Sequence, residues 1–350
     1  IEAHFGESTP FSVGVEEELM VLDGDSLLLA PRAAELIEAS AGMELPGTLK
    51  SELFASALEL NTKICASAEE AVEAIGELRR AAAGLAADHG LALAAAGSHP
   101  ISRPEDEEIA DEDRYREFVD YAGVSARRQG VSGLHVHVGM ESAEACFHAL
   151  EGVLPWLPVV LALSANSPYL AGEETGMMSN RAEVLAQLPR SGAPPAFRSY
   201  DDWEAFVELF AKLEMAAEYT RFWWDIRPHP SFGTLEIRMP DQPTALVRTS
   251  GLVKILVDLC RAVLDQPERP HDPAARGLYQ QNRWAAARFG LGAELFHPDG
   301  EHTAKAGELA AELAGETMDA SMAEAEQQLE VGRARGLAAV CADLVERTLG

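Results

Sequence analysis

The chain has 350 residues, with 28 Lys and Arg against 57 Asp and Glu and a formal net charge of −29. A field of that sign repels polyanions, which excludes a general nucleic-acid binder or a protein held electrostatically on an anionic membrane. With 47% hydrophobic and 24% charged residues it is an ordinary folding sequence, long enough for one large domain or two.

Ile1 to Pro10 carries Glu2, His4 and Glu7 and lacks the basic start and apolar centre of a secretory signal. Phe11 to Leu22 alternates as a strand, with Phe11, Val13, Val15, Leu19 and Val21 on one face and Glu16, Glu18 and Met20 on the other. Glu17 falls on the apolar face of a regular strand, so its burial there would need explanation. Pro31 to Ala41 and Ala66 to Gly90 read as helices, the second capped by Ser67 with Glu69 and Glu70 in its first turn. Leu91 to Ala96 reads as a buried strand, and Gly97 to Arg114 as an acidic loop. Val131 to Gly139 suggests a further strand, and Ala143 to Ala165 a helix broken near Pro155 and Pro158. The apolar run Val153 to Leu163 falls short of the roughly 18 residues of a spanning helix, so no membrane segment is expected.

Asn166 to Phe197 is glycine- and proline-rich and too long for a simple connection, which suggests a lid. Asp201 to Phe222 reads as an amphipathic helix presenting Trp203, Phe206, Phe210, Leu213 and Ala217. Of Trp223 and Trp224, one is expected in the core and the other beside a site. Gly233 to Pro240 reads as a strand, and Ala245 to Leu264 and Thr303 to Leu349 as helical. The order lacks a βαβ rhythm and predicts an α+β fold, a mainly antiparallel sheet with helices packed on one side. Residues 1–350 are expected to form a single catalytic domain with a helical C-terminal region from about 301. Cys65, Cys146, Cys260 and Cys341 lie far apart with no CxxC pair, which favours reduced thiols and a cytoplasmic location.

No phosphate-loop or dinucleotide fingerprint occurs, so any nucleotide would have to be held through metal ions and arginines. On a strand, Glu16 and Glu18 lie about 6.6 Å apart on one face and can serve neighbouring cations, Mg²⁺ preferring such hard oxygen ligands. The same triplet also fits a solvated strand end. His135 and His137 share a face and are open to metal, acid–base or structural roles. Glu236 and Arg238 share another, either as an ion pair or as a metal ligand beside a phosphate-binding fork. Glu52 and Glu59, seven apart, lie on opposite faces of an unbroken strand, so convergence would need a bulge or corner.

Taken in order, the segments GVEEE, SELFASALELNT, SGLHVHVG, NSPYLAGEETGMMSNR and WWDIRPHPSFGTLEIRMPD resemble the carboxylate-amine ligases, also called glutamate–cysteine ligase type 2, of the glutamine synthetase-like superfamily. The resemblance runs from about Val13 to Asp241. It implies a glutamine synthetase-like catalytic fold and ATP-dependent amide formation between a carboxylate, nominally the γ-carboxylate of glutamate, and an amine, nominally cysteine, through an acyl phosphate. It implies ATP and two or more Mg²⁺ ions, with Mn²⁺ as a substitute, small-molecule substrates, no nucleic-acid or membrane partner, and a homo-oligomer.

Residue by residue, it places Glu18, Glu52 and Glu59 on one metal and Glu16, His135 and Glu236 on a second. His135 is the metal imidazole because it follows Ser132-Gly133-Leu134, which leaves His137 on the substrate or nucleotide side. Arg238 matches the phosphate-contacting arginine, with Arg181 and Arg227 as further contacts to substrate carboxylate or phosphate. Catalytic roles therefore fall to Arg238, Arg181 and His137, and nucleotide contacts to Arg238, Arg227 and Arg181. Two other readings use the same residues: a metal-dependent amidohydrolase turning over without ATP, and a non-catalytic descendant that binds a small molecule.

Overall fold

A computed structural model describes residues 1–349. Among the described residues eleven strands occur in chain order: β1 (Val13–Asp23), β2 (Gly47–Ser51), β3 (Ala57–Thr62), β4 (Leu91–Ala94), β5 (Leu134–Gly139), β6 (Tyr169–Leu170), β7 (Glu173–Glu174), β8 (Ile226–His229), β9 (Thr234–Ile237), β10 (Glu294–Phe296) and β11 (Thr303–Lys305). Seven of them build one sheet in the order β2-β3-β1-β5-β9-β8, with β4 on β1, while β6–β7 and β10–β11 are separate two-stranded ribbons. Every pairing in the large sheet is antiparallel.

β1 is long enough to be paired along its whole length. β3 covers one edge, while β5 and then β4 share the other, at residues 13–17 and 20–23. The alternation read from sequence decides what each face meets. Val13, Val15, Leu19 and Val21 join Leu58, Leu60, Leu134, Val136, Leu235 and Ile237 in one continuous core. The helices Ala68–Asp88, Ala143–Val153 and Leu246–Leu264 pack on that face. The opposite face carries Glu16, Glu18, His135, His137 and Glu236.

Glu17, on the core side, is fully buried and meets Arg79 of the helix Ala68–Asp88 in a two-pronged ion pair of 2.6 and 2.7 Å. Thr249 and Gln242 also donate to it, at 2.6 and 3.0 Å. The remaining Arg79 donors reach the carbonyls of Pro243, Thr244 and Thr348, so neither charge lacks a partner.

Ala143–Ser164 is apolar and long enough to pass for a membrane span, but 78% of its most apolar window is buried inside the protein, as in a core helix. The expected break at Pro155 and Pro158 is only a single 3-10 turn, because both prolines occupy first-turn positions where no backbone N–H is needed. Of the C-terminal helices, Ala306–Ala314 packs on Leu157–Ser164, while Glu324–Arg335 and Leu337–Leu349 are tied to the segments that follow β9 and β4. Glu324 accepts the N–H groups of Thr244 and Ala245, and the Thr348 hydroxyl accepts that of Ala95.

Two expectations need correction. The helix expected to reach Phe222 ends at Lys212. Glu214 turns left-handed at φ 55°, its N–H bonds Ala211 O and that of Met215 bonds Phe210 O, which closes the end without glycine. Leu213 is consequently 59% exposed. The segment expected as a lid is firmly anchored over its first half. Asp241 accepts from Asn166 N, Ser167 Oγ and Ser179 Oγ at 2.7–2.9 Å, which pins residues 166–181 against the end of β9.

Trp203 has no exposed surface and packs among Tyr200, Tyr219, Phe222 and Trp224. Trp203→Ala should cost about 3–5 kcal/mol. An unchanged chemical-denaturation midpoint would contradict that packing.

Candidate active site

Register assembles the site row by row on the open face of the sheet. Lys50, Glu59 and Glu18 are successive partners across β2, β3 and β1. Asn61, Glu16 and His135 form the next row across β3, β1 and β5. Gly14, His137, Glu236 and Arg227 form the third across β1, β5, β9 and β8.

Glu52 and Glu59 converge without the bulge that an unbroken strand would need. Glu59 lies on one arm of an antiparallel hairpin, in which Lys50 pairs Glu59 and Ser51 pairs Leu58, and Glu52 is the first residue past the end of the other arm. Each pair sums to an odd number, so an even residue of one arm shares its face with an odd residue of the other.

Two groups of side chains result. In the first, donor atoms of Glu16, His137 and Glu236 all lie within 4.8 Å of one another. His137 Nε2 is 3.5 Å from Glu16 Oε1, is buried and has no hydrogen-bond partner, while its Nδ1 is held by Thr234 at 3.0 Å. His135 stands between the groups, with Nδ1 3.2 Å from Glu16 and Nε2 3.9 Å from Glu18. The geometry thus gathers His137 with Glu16 and Glu236, and places His135 at the junction with Glu18. Burial alone would raise Glu16, yet its contacts with His135 and His137 hold it well below the usual carboxylate range. Burial, followed by the nearby Arg238 charge, pushes His135 down to about 4.

In the second group, Glu18, Glu52 and Glu59 are raised to about 7, 7 and 8. Burial is the main cause, reinforced by their mutual charge: Glu59 acts on Glu18, Glu18 on Glu52, and Glu16 and Glu52 on Glu59. Three carboxylates forced together with few donors, and an imidazole nitrogen with none, are donor sets suited to hard divalent cations. Glu16, His137 and Glu236, whose donor atoms converge within 4.8 Å, would hold one; Glu18, Glu52 and Glu59 feel one another's charge without such convergence and would have to draw together around a second, with His135 between the two sets.

Arginines flank the acids. Arg227 clasps Glu236 through Nε at 2.5 Å and Nη2 at 3.2 Å, with Nη1 on the carbonyls of Thr220 and Phe222. It lines neither adjoining cavity and so positions Glu236. Arg238 also bonds Glu236 but borders a cavity. Despite its burial, Glu236 lies well below the ordinary carboxylate range because Arg227 and Arg238 are so close. Arg181, buried, donates to the carbonyls of Met239 and Arg238 and borders the same cavity.

Gly133 explains how Arg181 fits. Its N–H donates to Glu18 at 2.6 Å, and a Cβ added there would lie 2.1 Å from Arg181 Nη2. Gly133→Ala should displace this guanidinium and lower kcat by about tenfold to a hundredfold while the far-ultraviolet circular dichroism stays unchanged. Undiminished turnover would show that Arg181 is dispensable.

Two cavities open on the row of acids. The larger, about 590 Å³, is walled by Gly14, Val15, Glu16, Lys50, Ile64, His137 and Phe232. The smaller, about 240 Å³, is bordered by Glu18, Glu52, Arg114, Tyr115, Arg181, Arg221, Trp223 and Arg238. Trp224 is in the core and Trp223 at the cavity, as one of the two was expected to be. Sequence reasoning missed Lys50, Arg114 and Arg221. The odd-sum hairpin would have found Lys50 opposite Glu59, whereas nothing local marks the two arginines.

The family described as glutamate-cysteine ligase family 2 matches residues 12–343. A Rubrobacter xylanophilus relative provisionally named glutamate–cysteine ligase 2-3 is 39% identical over 339 residues, covering 95% of this chain and 92% of its own. A Herpetosiphon aurantiacus relative, provisionally glutamate–cysteine ligase 2, is 34% identical over 87% of this chain and 79% of its own. The fold is shared with the Francisella tularensis glutamate–cysteine ligase solved with AMP, at TM-score 0.71, 16% identity and coverage of 98% and 89%. It is shared as well with part of a bifunctional glutathione synthetase from Pasteurella multocida, at TM-score 0.72, 14% identity and coverage of 97% and 52%. The protein is therefore a ligase of the glutamate–cysteine ligase type. The chain belongs to glutamate-cysteine ligase family 2.

Proposed function

We propose that the protein is an ATP- and Mg²⁺-dependent ligase that joins the γ-carboxylate of glutamate to an amine through an acyl phosphate, releasing ADP and phosphate. The observation that carries this reading is the single sheet face on which two acidic groups stand between a large cavity and a small, arginine-bordered one. AMP bound to the Francisella tularensis ligase supports assigning a nucleotide to such a fold.

The larger cavity, with Ile64 and Phe232 as apolar walls and Glu16 and His137 at its floor, suits a nucleotide whose phosphates reach toward the acids. The smaller cavity suits the carboxylate and amine substrates, which Arg181, Arg114 and Arg221 can orient by charge. When bound, Mg²⁺ on these acids would neutralise phosphate charge. Arg238 stands at the boundary between the two groups, where its planar fork can stabilise charge on the phosphoryl group in transfer. Arg227 keeps Glu236 ionised and aimed. Phe118, Leu185 and Leu188 give the small cavity an apolar wall against which a substrate side chain can lie.

The test is ADP and phosphate release with Mg²⁺-ATP and glutamate across cysteine, other amino acids and small amines, with product masses recorded. A glutamyl amide formed in step with ADP is the expected result and names the acceptor. Amide hydrolysis without ATP would overturn the reading in favour of a hydrolase.

A further inference from the structure

Far along the sequence from the acidic sheet face, the β10–β11 ribbon ends in His297-Pro298-Asp299-Gly300-Glu301-His302. His297 Nδ1 lies 2.9 Å from Asp299 Oδ2, and His302 Nδ1 lies 3.3 Å from the same oxygen. The two imidazoles stack at 4.4 Å with an interplanar angle of 19°. One donor atom from each of the three residues falls within a 4.8 Å group.

The frame beneath them is built. His297 N bonds His302 O and Gly300 N bonds His297 O, both at 2.8 Å, and Gly300 is left-handed at φ 79°. Asp299 accepts Glu301 N at 2.8 Å. The ribbon is clamped to the helix Ala275–Phe289 by the Asn282 amide, which both donates to Phe296 O and accepts Phe296 N, and Arg269 donates to Pro298 O. Trp156 meets the His297 ring edge-on at 6.3 Å.

We infer that His297, Asp299 and His302 form a second, independent metal site that takes one borderline divalent transition ion, with Zn²⁺ as the best fit. Bonds of about 2.0–2.1 Å arranged tetrahedrally separate neighbouring ligand atoms by about 3.3 Å, close to the separations found around Asp299. Two imidazoles select Zn²⁺, Co²⁺, Ni²⁺ or Cu²⁺ over Mg²⁺, which keeps to oxygen ligands. Three protein ligands leave the fourth position to solvent, which reaches His297 and Asp299 from an adjoining cavity of about 330 Å³. In the metal-free protein His297 Nδ1 accepts the Asp299 N–H at 3.2 Å, so an ion would take that nitrogen from a backbone donor and turn the stacked rings to face it.

The test is a Co²⁺ titration of the full chain in excess Mg²⁺, which occupies the catalytic carboxylates. Visible d–d absorption and quenching of Trp156 are followed, with Trp156→Phe identifying the quenched residue. One equivalent should give a tetrahedral band that Zn²⁺ displaces. Glu236→Gln should keep that band, while His302→Gln and Asp299→Asn should weaken Co²⁺ binding by about tenfold or more. His302 is 58% exposed at its side chain, so His302→Gln should fold as the wild type does, and an unchanged melting curve without added metal checks this. A band lost in Glu236→Gln and kept in His302→Gln would overturn the site, as would the absence of saturable Co²⁺ binding.

Discussion

Glu236→Gln is expected to remove most of the turnover and a substantial part of the stability in one step. Glu236 is 1% exposed and is gripped by Arg227 and Arg238. The amide preserves the shape but not the charge, leaving two cations without their common counter-ion. Breaking a buried pair from one side costs about 3–5 kcal/mol. Loss of a carboxylate from the charge-stabilising machinery should cost about a hundredfold or more in kcat. The two losses are separable. Adding Arg227→Met to Glu236→Gln should recover part of the melting temperature, because it removes one uncompensated cation, yet restore no turnover. Wild-type kcat in Glu236→Gln would remove this residue from the reaction. An unaltered melt would contradict its role as anchor of the two arginines.

The metal-free protein should lose melting temperature as pH rises through about 7 to 8, and Mg²⁺ should suppress that loss. Burial, aided by mutual repulsion, raises Glu18, Glu52 and Glu59 to about 7, 7 and 8 from an ordinary 4.5. A carboxyl raised in the fold contributes stability in full below its unfolded value, and that contribution disappears as pH climbs through the folded one. Each unit corresponds to about 1.4 kcal/mol for an isolated group. A divalent cation compensates the same charges that protons otherwise neutralise, so Mg²⁺ should bind more tightly as pH rises and release protons as it does. Calorimetry across this interval, in EDTA and in Mg²⁺, provides the comparison, and Glu59→Gln should flatten the EDTA profile. A melting temperature that is flat or rising in EDTA would refute the coupling.

The strand face of Glu16 and Glu18 was legible because alternation is a local property, and GVEEE carries it within five residues. The motif order was likewise enough to place the chain in its family and to name the α+β sheet. What sequence could not supply was pairing across distance. Glu52 and Glu59 were an obstacle as members of one strand and became neighbours once the turn between them was known to close a hairpin. Whether His135 or His137 stands beside Glu236 depends on the offset between β5 and β9, which neither strand encodes alone. Arg227 read as a substrate contact because nothing in its own segment reveals that Glu236, nine residues on, occupies its fork. The helix from Tyr200 ended ten residues early because Glu214 adopts a conformation that composition assigns to glycine.

Three consecutive glutamates give β1 an ambiguity that a hydrophobic pattern would not have. Slipping the strand by one residue exchanges its faces, so Glu17 would enter the reaction chamber and its two neighbours would turn inward. Arg79 discriminates between these alignments. It offers one glutamate a fork on the inner side, at 2.6 and 2.7 Å, and has no second fork for the pair that a slip would deliver. The arginine thereby acts as a proofreader of alignment for the central strand, on the side of the sheet that substrate never reaches. Arg79→Met alone should favour misaligned, slowly refolding molecules, and adding Glu17→Leu, which makes the inner face of β1 apolar throughout, should cure them. Refolding of Arg79→Met alone at the wild-type rate to a fully active enzyme would show that the alternation of β1 sets the alignment without the arginine.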